Sequence, residues 1–174
     1  MLVALAAMPE VVRYIGDGHP WSAERADELS AAAIAHWETH GFGWRAVYER
    51  EPAGANPDDR PRAEPIGLIA LNLTGEGSGV GRDEYEIGWW MSPALWGRGL
   101  AREGALAVRD DAFINVGAPN ILALIQPSNS ASLAVAEAIG LSFERGGRGR
   151  HGEEISVLRL TADTWRARRE PGEG

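Results

Sequence analysis

The sequence predicts an α/β fold in which helices flank a mixed central sheet. Three observations carry this. Strand-like and helix-like segments alternate along the chain; an apolar strand runs into a glycine turn and a helix start between Glu86 and Glu103; and Ile121 to Ile125 is a short, wholly apolar run of the kind found in buried central strands. At 174 residues and 44% hydrophobic composition, a single domain with a substantial core is expected.

In order, the elements justify themselves as follows. Ser22 can cap a helix reaching about His40, because Ala26, Leu29, Ala33 and Trp37 recur at helical spacing, and Gly41 ends it. Trp44 to Glu49 and Ile66 to Leu73 read as strands. The four prolines and several charges of Arg50 to Pro65 make an exposed loop between them, and glycines 75, 77, 79 and 81 mark the next connection. Tyr85 to Met91 is a strand leading through the glycine turn into a helix from Leu100 to about Val116, with Ala101, Ala105, Val108 and Ala112 on one face. After the 121–125 strand come a helix from Ser130 to Ile139, a stop at Gly140, and two closing strands, Ser142 to Arg145 and Ile155 to Leu160. Arg145 to His151 reads as a hairpin loop, although its arginines and glycines are also similar to a short RNA-binding tract.

Composition excludes several functions. Zero cysteines rule out disulfides, thiol catalysis and thiolate metal sites, and fit a cytoplasmic protein. The apolar opening Met1 to Pro9 lacks a basic n-region and is far shorter than the roughly 20 residues of a membrane span, so neither a signal peptide nor a span is expected. A net charge of −8 argues against a nucleic-acid surface and mildly favours amine substrates. No Rossmann fingerprint or P-loop is complete. His36 and His40 have the i,i+4 spacing of a metal pair, but the zincin glutamate is missing and a surface pair is expected; no metal is expected. Trp37 and Trp165 read as packing residues, whereas Trp21 and Trp44 are candidates for lining a pocket.

The glycine turn is an anion site by construction. Gly97 and Gly99 permit a tight turn and let a phosphate approach the backbone, the helix at Leu100 presents unpaired N–H groups, and Arg98 and Arg102 add charge.

At these residues the chain resembles the GNAT acetyltransferase superfamily. Trp96-Gly-Arg-Gly-Leu-Ala101 is similar to the acyl-CoA pyrophosphate loop, matching at Gly99 and Ala101, with Trp96 where Gln or Arg is usual, a substitution familiar in the RimJ/RimL-like type. Asn129-Ser-Ala-Ser132 and the helix closing in Ala-Ile-Gly-Leu resemble that group's Asn-x-x-Ser block, while Pro9 to Gly16 and His40 to Trp44 are loosely similar to its N-terminal half. The resemblance implies an N-acetyltransferase domain over residues 1–161, followed by a C-terminal tail, 162–174. It also implies acetyl-CoA as cosubstrate and a primary amine as acceptor: a protein N-terminus, an amino acid or a small metabolite. Members of that family usually open with a first strand carrying a Leu-x-Leu-Arg type segment, whereas this sequence begins inside the expected first helix: either an upstream start precedes it or the fold lacks that edge strand, a loss that would expose the sheet edge and favour homodimer formation or poor solubility.

The same resemblance places the chemistry. Glu86, on the strand entering the turn and beside Ile87, Trp89 and Trp90, is the candidate base, with a solvated strand-end glutamate as the competing reading. Ser132 is the implied partner of the CoA sulfur, though it could equally satisfy a helix N–H. Backbone atoms of Trp89 and Met91 are implied for the pantetheine amides, and Trp96, Gly97, Arg98, Gly99, Leu100, Ala101 and Arg102 for the pyrophosphate. Asn129 combines capping with the pantetheine arm. Ala134 to Ala136 offer no tyrosine acid. Two other functions compete: a non-catalytic acyl-CoA sensor and a protein-interaction domain.

Overall fold

A computed structural model describes residues 2–49, 64–75 and 78–169. Three helices open the chain, α1 (Leu2–Ala6), α2 (Pro9–Val12) and α3 (Ala23–His40). They are followed by β1 (Arg45–Val47), β2 (Gly67–Leu73), β3 (Tyr85–Met91), α4 (Leu100–Ile114), β4 (Asn120–Ile125), α5 (Ser130–Ala138), β5 (Ser142–Arg148), β6 (Glu154–Thr161) and α6 (Ala162–Ala167). The six strands form one mixed sheet in the order β1-β2-β3-β4-β6-β5. Among the described residues no strand precedes β1. The glycine-marked connection is described except at 76–77, and most of the proline-rich loop lies outside the described residues.

The caps behave as the residue types require. Ser22 Oγ accepts from the Arg25 N–H at 3.2 Å, and Gly41 closes α3 at φ 74°, a left-handed position that glycine adopts without strain. Of the four residues expected on the buried stripe of α3, only Ala26 is fully buried; Leu29, Ala33 and Trp37 stay half-buried. On α4 the expected stripe buries Ala105, Val108 and Ala112.

Two cores lie on opposite faces of the sheet. One joins Ile69, Leu71 and Ile87 to α4, α5 and α6 through residues such as Val108, Ile139 and Trp165. The other joins Leu68 and Ala70 to α1–α3 through Leu5, Val12 and Ala26, with Trp21, Trp44 and Trp90 packed against it. Alternation along the strands explains this division, because odd residues of β3 face the first core and even residues face the second.

One sequence expectation needs correction. The β5 strand does not stop at Arg145 but continues to Arg148, so Gly146 and Gly147 pair with Ser156 and Ile155 and only the tip, 149–153, is a turn. Glycines favour turns by propensity, but here the ladder to β6 and a bulge between Phe143 and Arg145 hold them in a strand. After β6, α6 is capped by Thr161 and inserts Trp165 beside Phe113 at a ring separation of 5.1 Å.

Candidate active site

The functional geometry begins where the sheet splits. Strands β3 and β4 run parallel, yet their recorded pairing is a single one, Glu86 with Leu122. Beyond it the strands diverge, with each still fully paired on its other side, β3 to β2 and β4 to β6.

Hydrogen-bond parity decides which backbone groups this leaves open. Ser92 N–H donates to Ile66 O and Thr74 N–H to Glu84 O, so in this register the even residues of β3 bond to β2. The odd residues, Trp89 and Met91, therefore turn their N–H and C=O groups toward the gap. On β4, Ala162 N–H donates to Pro119 O, which commits the odd residues to β6 and aims Leu124 into the same gap. Such a gap offers ladder groups to an extended ligand.

A cavity of about 960 Å³ occupies the gap. The first turn of α4 lies on one side. Gly97 and Gly99 sit at φ 76° and 78°, with nothing within 4 Å of where a Cβ would be, so their need for glycine is conformational and the space beside them is open. Gly99 is the N-cap of α4 and supplies no side-chain bond, whereas α3, α5 and α6 are capped by Ser22, Asn129 and Thr161. With Glu103 N–H the first to be bonded back, to Gly99 O, the amides of Leu100, Ala101 and Arg102 remain for an anion.

The two arginines expected there part company. Arg102 lines the cavity, but Arg98 turns to Glu49, with which it makes a 2.8 Å ion pair at the surface. Trp96 takes a structural position as well: its Nε1–H donates to Met91 O at 2.9 Å, tying the glycine turn back to the end of β3. Its ring remains about half exposed, at 53%.

At the start of α5 the competing readings of Ser132 separate. Asn129 Oδ1 accepts the Ser132 N–H at 3.1 Å, so the cap is supplied by the asparagine. The Ser132 hydroxyl lines the cavity and has no hydrogen-bond partner among the described residues.

Glu86 reaches the cavity from the other face, that of Trp90. It is half-buried and has no hydrogen bond or ion pair among the described residues. Burial pushes its carboxyl pKa well above the ordinary 4.5, and the more distant charge of Arg150 offsets only part of that rise. Half-burial and the raised pKa favour the base reading over that of a solvated strand-end glutamate. A partly desolvated, unpartnered carboxyl in a cleft is a group suited to accepting a proton.

Three tryptophans form the wall beyond Glu86. Trp21 meets Trp90 edge-on at 5.1 Å, Trp44 lies 6.1 Å from Trp90, and Trp44 Nε1 is held by Asn72 Oδ1 at 2.7 Å. Sequence reasoning singled out Trp21 and Trp44 and set the 145–153 loop, which carries Arg150, at the border of the acceptor site, but missed Arg25; both arginines line the cavity. Arg25 carried a usable signal, since a cation in the first turn of a helix opposes the dipole. His36 and His40 stack at 4.5 Å on α3, and among the described residues no group of three His, Cys, Asp or Glu comes together to hold a metal.

Residues 1–142 match the family model for the acetyltransferase (GNAT) domain. The chain belongs to the GNAT acetyltransferase family. Among similar proteins, the FsC-acetyl coenzyme A-N(2)-transacetylase of Aspergillus fumigatus is 27% identical over 136 residues, or 77% of this chain. The chain spans 54% of that enzyme and 35% of a matching uncharacterized protein, YkkB, from Bacillus subtilis. An acetyltransferase structure from Agrobacterium tumefaciens superposes with a TM-score of 0.72 at 27% identity, covering 91% of this chain and 82% of that one. The GNAT fold is shared as well with yncA of Salmonella typhimurium, solved with acetyl-CoA, at a TM-score of 0.64 and 17% identity, covering 93% of this chain and 88% of that one. Within the described residues no helix is long and apolar enough to cross a membrane.

Proposed function

We propose that this GNAT domain transfers an acetyl group from acetyl-CoA to a primary amine by direct attack, in the manner of the RimJ/RimL-like group. The observation that carries the reading is the open gap between β3 and β4, with an uncapped helix N-terminus at one end and a buried, unpartnered carboxyl at the other. The cavity fits the cosubstrate on three counts: open space over Gly97 and Gly99, free amides at Leu100 to Arg102, and ladder groups of Trp89 and Met91 turned into the gap, where Met91 O also accepts from Trp96.

Acetyl-CoA supplies the activated acyl group, a thioester. The amides of residues 100–102, together with Arg102, hold the pyrophosphate, with Gly97, Gly99 and Trp96 shaping the turn; Arg98, paired with Glu49, contributes at longer range. Trp89 and Met91 extend their backbone to the pantetheine amides, and the Asn129 side-chain amide, whose oxygen caps α5, offers its NH2 group to the same arm. Glu86 takes the proton of the attacking amine. The Ser132 hydroxyl donates to the departing sulfur, at a helix end whose dipole favours negative charge.

The acceptor is an amine-bearing small molecule or a protein N-terminus, and the place of action is the cytoplasm. Free-thiol release from acetyl-CoA across a panel of amines and peptides tests the reading. Amine-dependent release supports it. Binding of acetyl-CoA without any amine-dependent release would leave the acyl-CoA sensor, and absence of binding in calorimetry would leave the interaction domain.

A further inference from the structure

Every basic side chain of this protein other than histidine is an arginine. Away from the cleft the described arginines are engaged, as Arg45 is by Asp111, Arg159 by Glu84 and Glu144, and Arg169 by Asp110. Four have neither a hydrogen bond nor an ion pair among the described residues: Arg13, Arg25, Arg102 and Arg150. All four line the cavity of about 960 Å³.

Arg102 belongs to the α4 end, where the phosphates are placed. The other three come from the opposite side: the end of α2, the first turn of α3, and the β5–β6 turn. These segments meet. A Cβ on Gly16 would lie 3.3 Å from His151 Nε2 and 3.7 Å from Arg25 Nη2, so the hairpin tip reaches the α2–α3 loop over the tryptophan wall. The Arg25 guanidinium stacks over Trp21 at 4.6 Å, which fixes its plane while leaving its N–H groups unclaimed. Arg150 sits close enough to Glu86 for its charge to be felt there.

Among the nearby carboxylates, Glu10 and Glu86 line the same cavity, and Asp17 lies within reach of the Arg25 charge. Asp17 accepts the His19 N–H, and Glu153 accepts the His151 N–H at 2.9 Å. Arg25 is half-buried and Arg150 exposed at the mouth of the cleft, so in a chain with a net charge of −8 both are placed to give charge-assisted bonds to a bound anion.

Building on the acetyl-transfer reading above, we propose that the acceptor is an amine bearing its own carboxylate. Its carboxylate binds to Arg25 and Arg150, its apolar body lies against Trp21, Trp44 and Trp90, and its amine reaches Glu86. A polyamine would instead set a second cation among unpaired arginines, and an amine without an anion would leave them unsatisfied.

The test uses matched acceptors on the full chain: phenylalanine, methionine and tryptophan, each beside its amide, with spermidine and a neutral peptide as further arms. The free amino acids are expected to exceed their amides in kcat/KM by about tenfold or more, the scale of one charge-assisted bidentate contact. R25Q and R150Q are expected to raise KM for the amino acids by a similar factor and KM for the amides by distinctly less, while an unchanged Kd of acetyl-CoA shows that the variants are folded. The proposal is overturned if amides, spermidine or the peptide react as well or better, if no carboxylated acceptor reacts, or if the variants weaken acetyl-CoA binding instead. Absence of acetyl-CoA binding by the unaltered protein overturns the acetyl-transfer reading itself, a separate failure.

Discussion

Glu86 concentrates the chemistry of this chain in one ionisation. Because burial raises its pKa, it stays protonated to a higher pH than an ordinary glutamate, and activity that needs the carboxylate should climb with pH through that raised value. E86Q is expected to lower the transfer rate by about 100-fold or more, the usual contribution of a general base, with the acetyl-CoA Kd unchanged. The same ionisation has a stability consequence of definite sign. A carboxyl whose folded pKa lies above its unfolded one binds more protons in the folded state, so its stabilising contribution is complete below about pH 4.5 and lost as pH rises through the folded pKa. Accordingly, E86Q should melt at a higher temperature than the unaltered protein at pH 8, and the gap should close toward pH 4. Melting temperatures across that range check this, and equal values at pH 8 would refute it. Ser132, freed from capping by Asn129, is the second residue whose role is read from one atom. S132A should lower kcat by about tenfold, the value of one hydrogen bond to developing charge, while α5 and acetyl-CoA affinity persist.

At the scale of elements, the glycine turn and α4 act as one device. Glutamate at position 99 would have to adopt the left-handed φ of 78°, costing about 1–2 kcal/mol, and its carboxylate would compete for the amides meant for phosphate. G99E is therefore expected to weaken acetyl-CoA binding by more than about tenfold, roughly 1.4 kcal/mol, when measured by calorimetry. Undiminished affinity would remove the cofactor assignment. These elements were legible because their signals are local: Ser22, Asn129 and Gly41 are caps, and the Tyr85–Met91 strand and the α4 start fall where the periodicity puts them. The β5 extension through Gly146 and Gly147 was not legible, since ladder pairing to a strand later in the chain overrides glycine's turn preference.

Across the whole molecule, Asp110 binds the C-terminal helix to the rest. It accepts bonds from Arg109, from Trp165 Nε1 and from Arg169, joining α4 to α6. Burial works to raise its pKa, but the bonds from Trp165 and Arg109 outweigh it and the net direction is down. D110A should cost about 1–3 kcal/mol in denaturant titrations at pH 7, because it leaves the Trp165 donor without its partner. A depressed carboxyl stabilises above its unfolded pKa and ceases to as pH falls through the folded one, so the difference should fade in strong acid. The sheet as a whole ends in β1, an edge of only three residues. Self-association along this edge remains our proposal, and a monodisperse monomer at all concentrations in analytical ultracentrifugation would refute it.

By itself the sequence determined the alternation of strands and helices, the anion-binding turn and the family resemblance, because each is written in residues close together in the chain. Only the tertiary structure decided that Glu86 is partly desolvated, that Trp89 and Met91 aim their backbone into the gap, and that Arg25 and Arg150 line the same cavity as the tryptophan wall. Those facts depend on strand register and on contacts between residues more than a hundred positions apart, which no local pattern encodes.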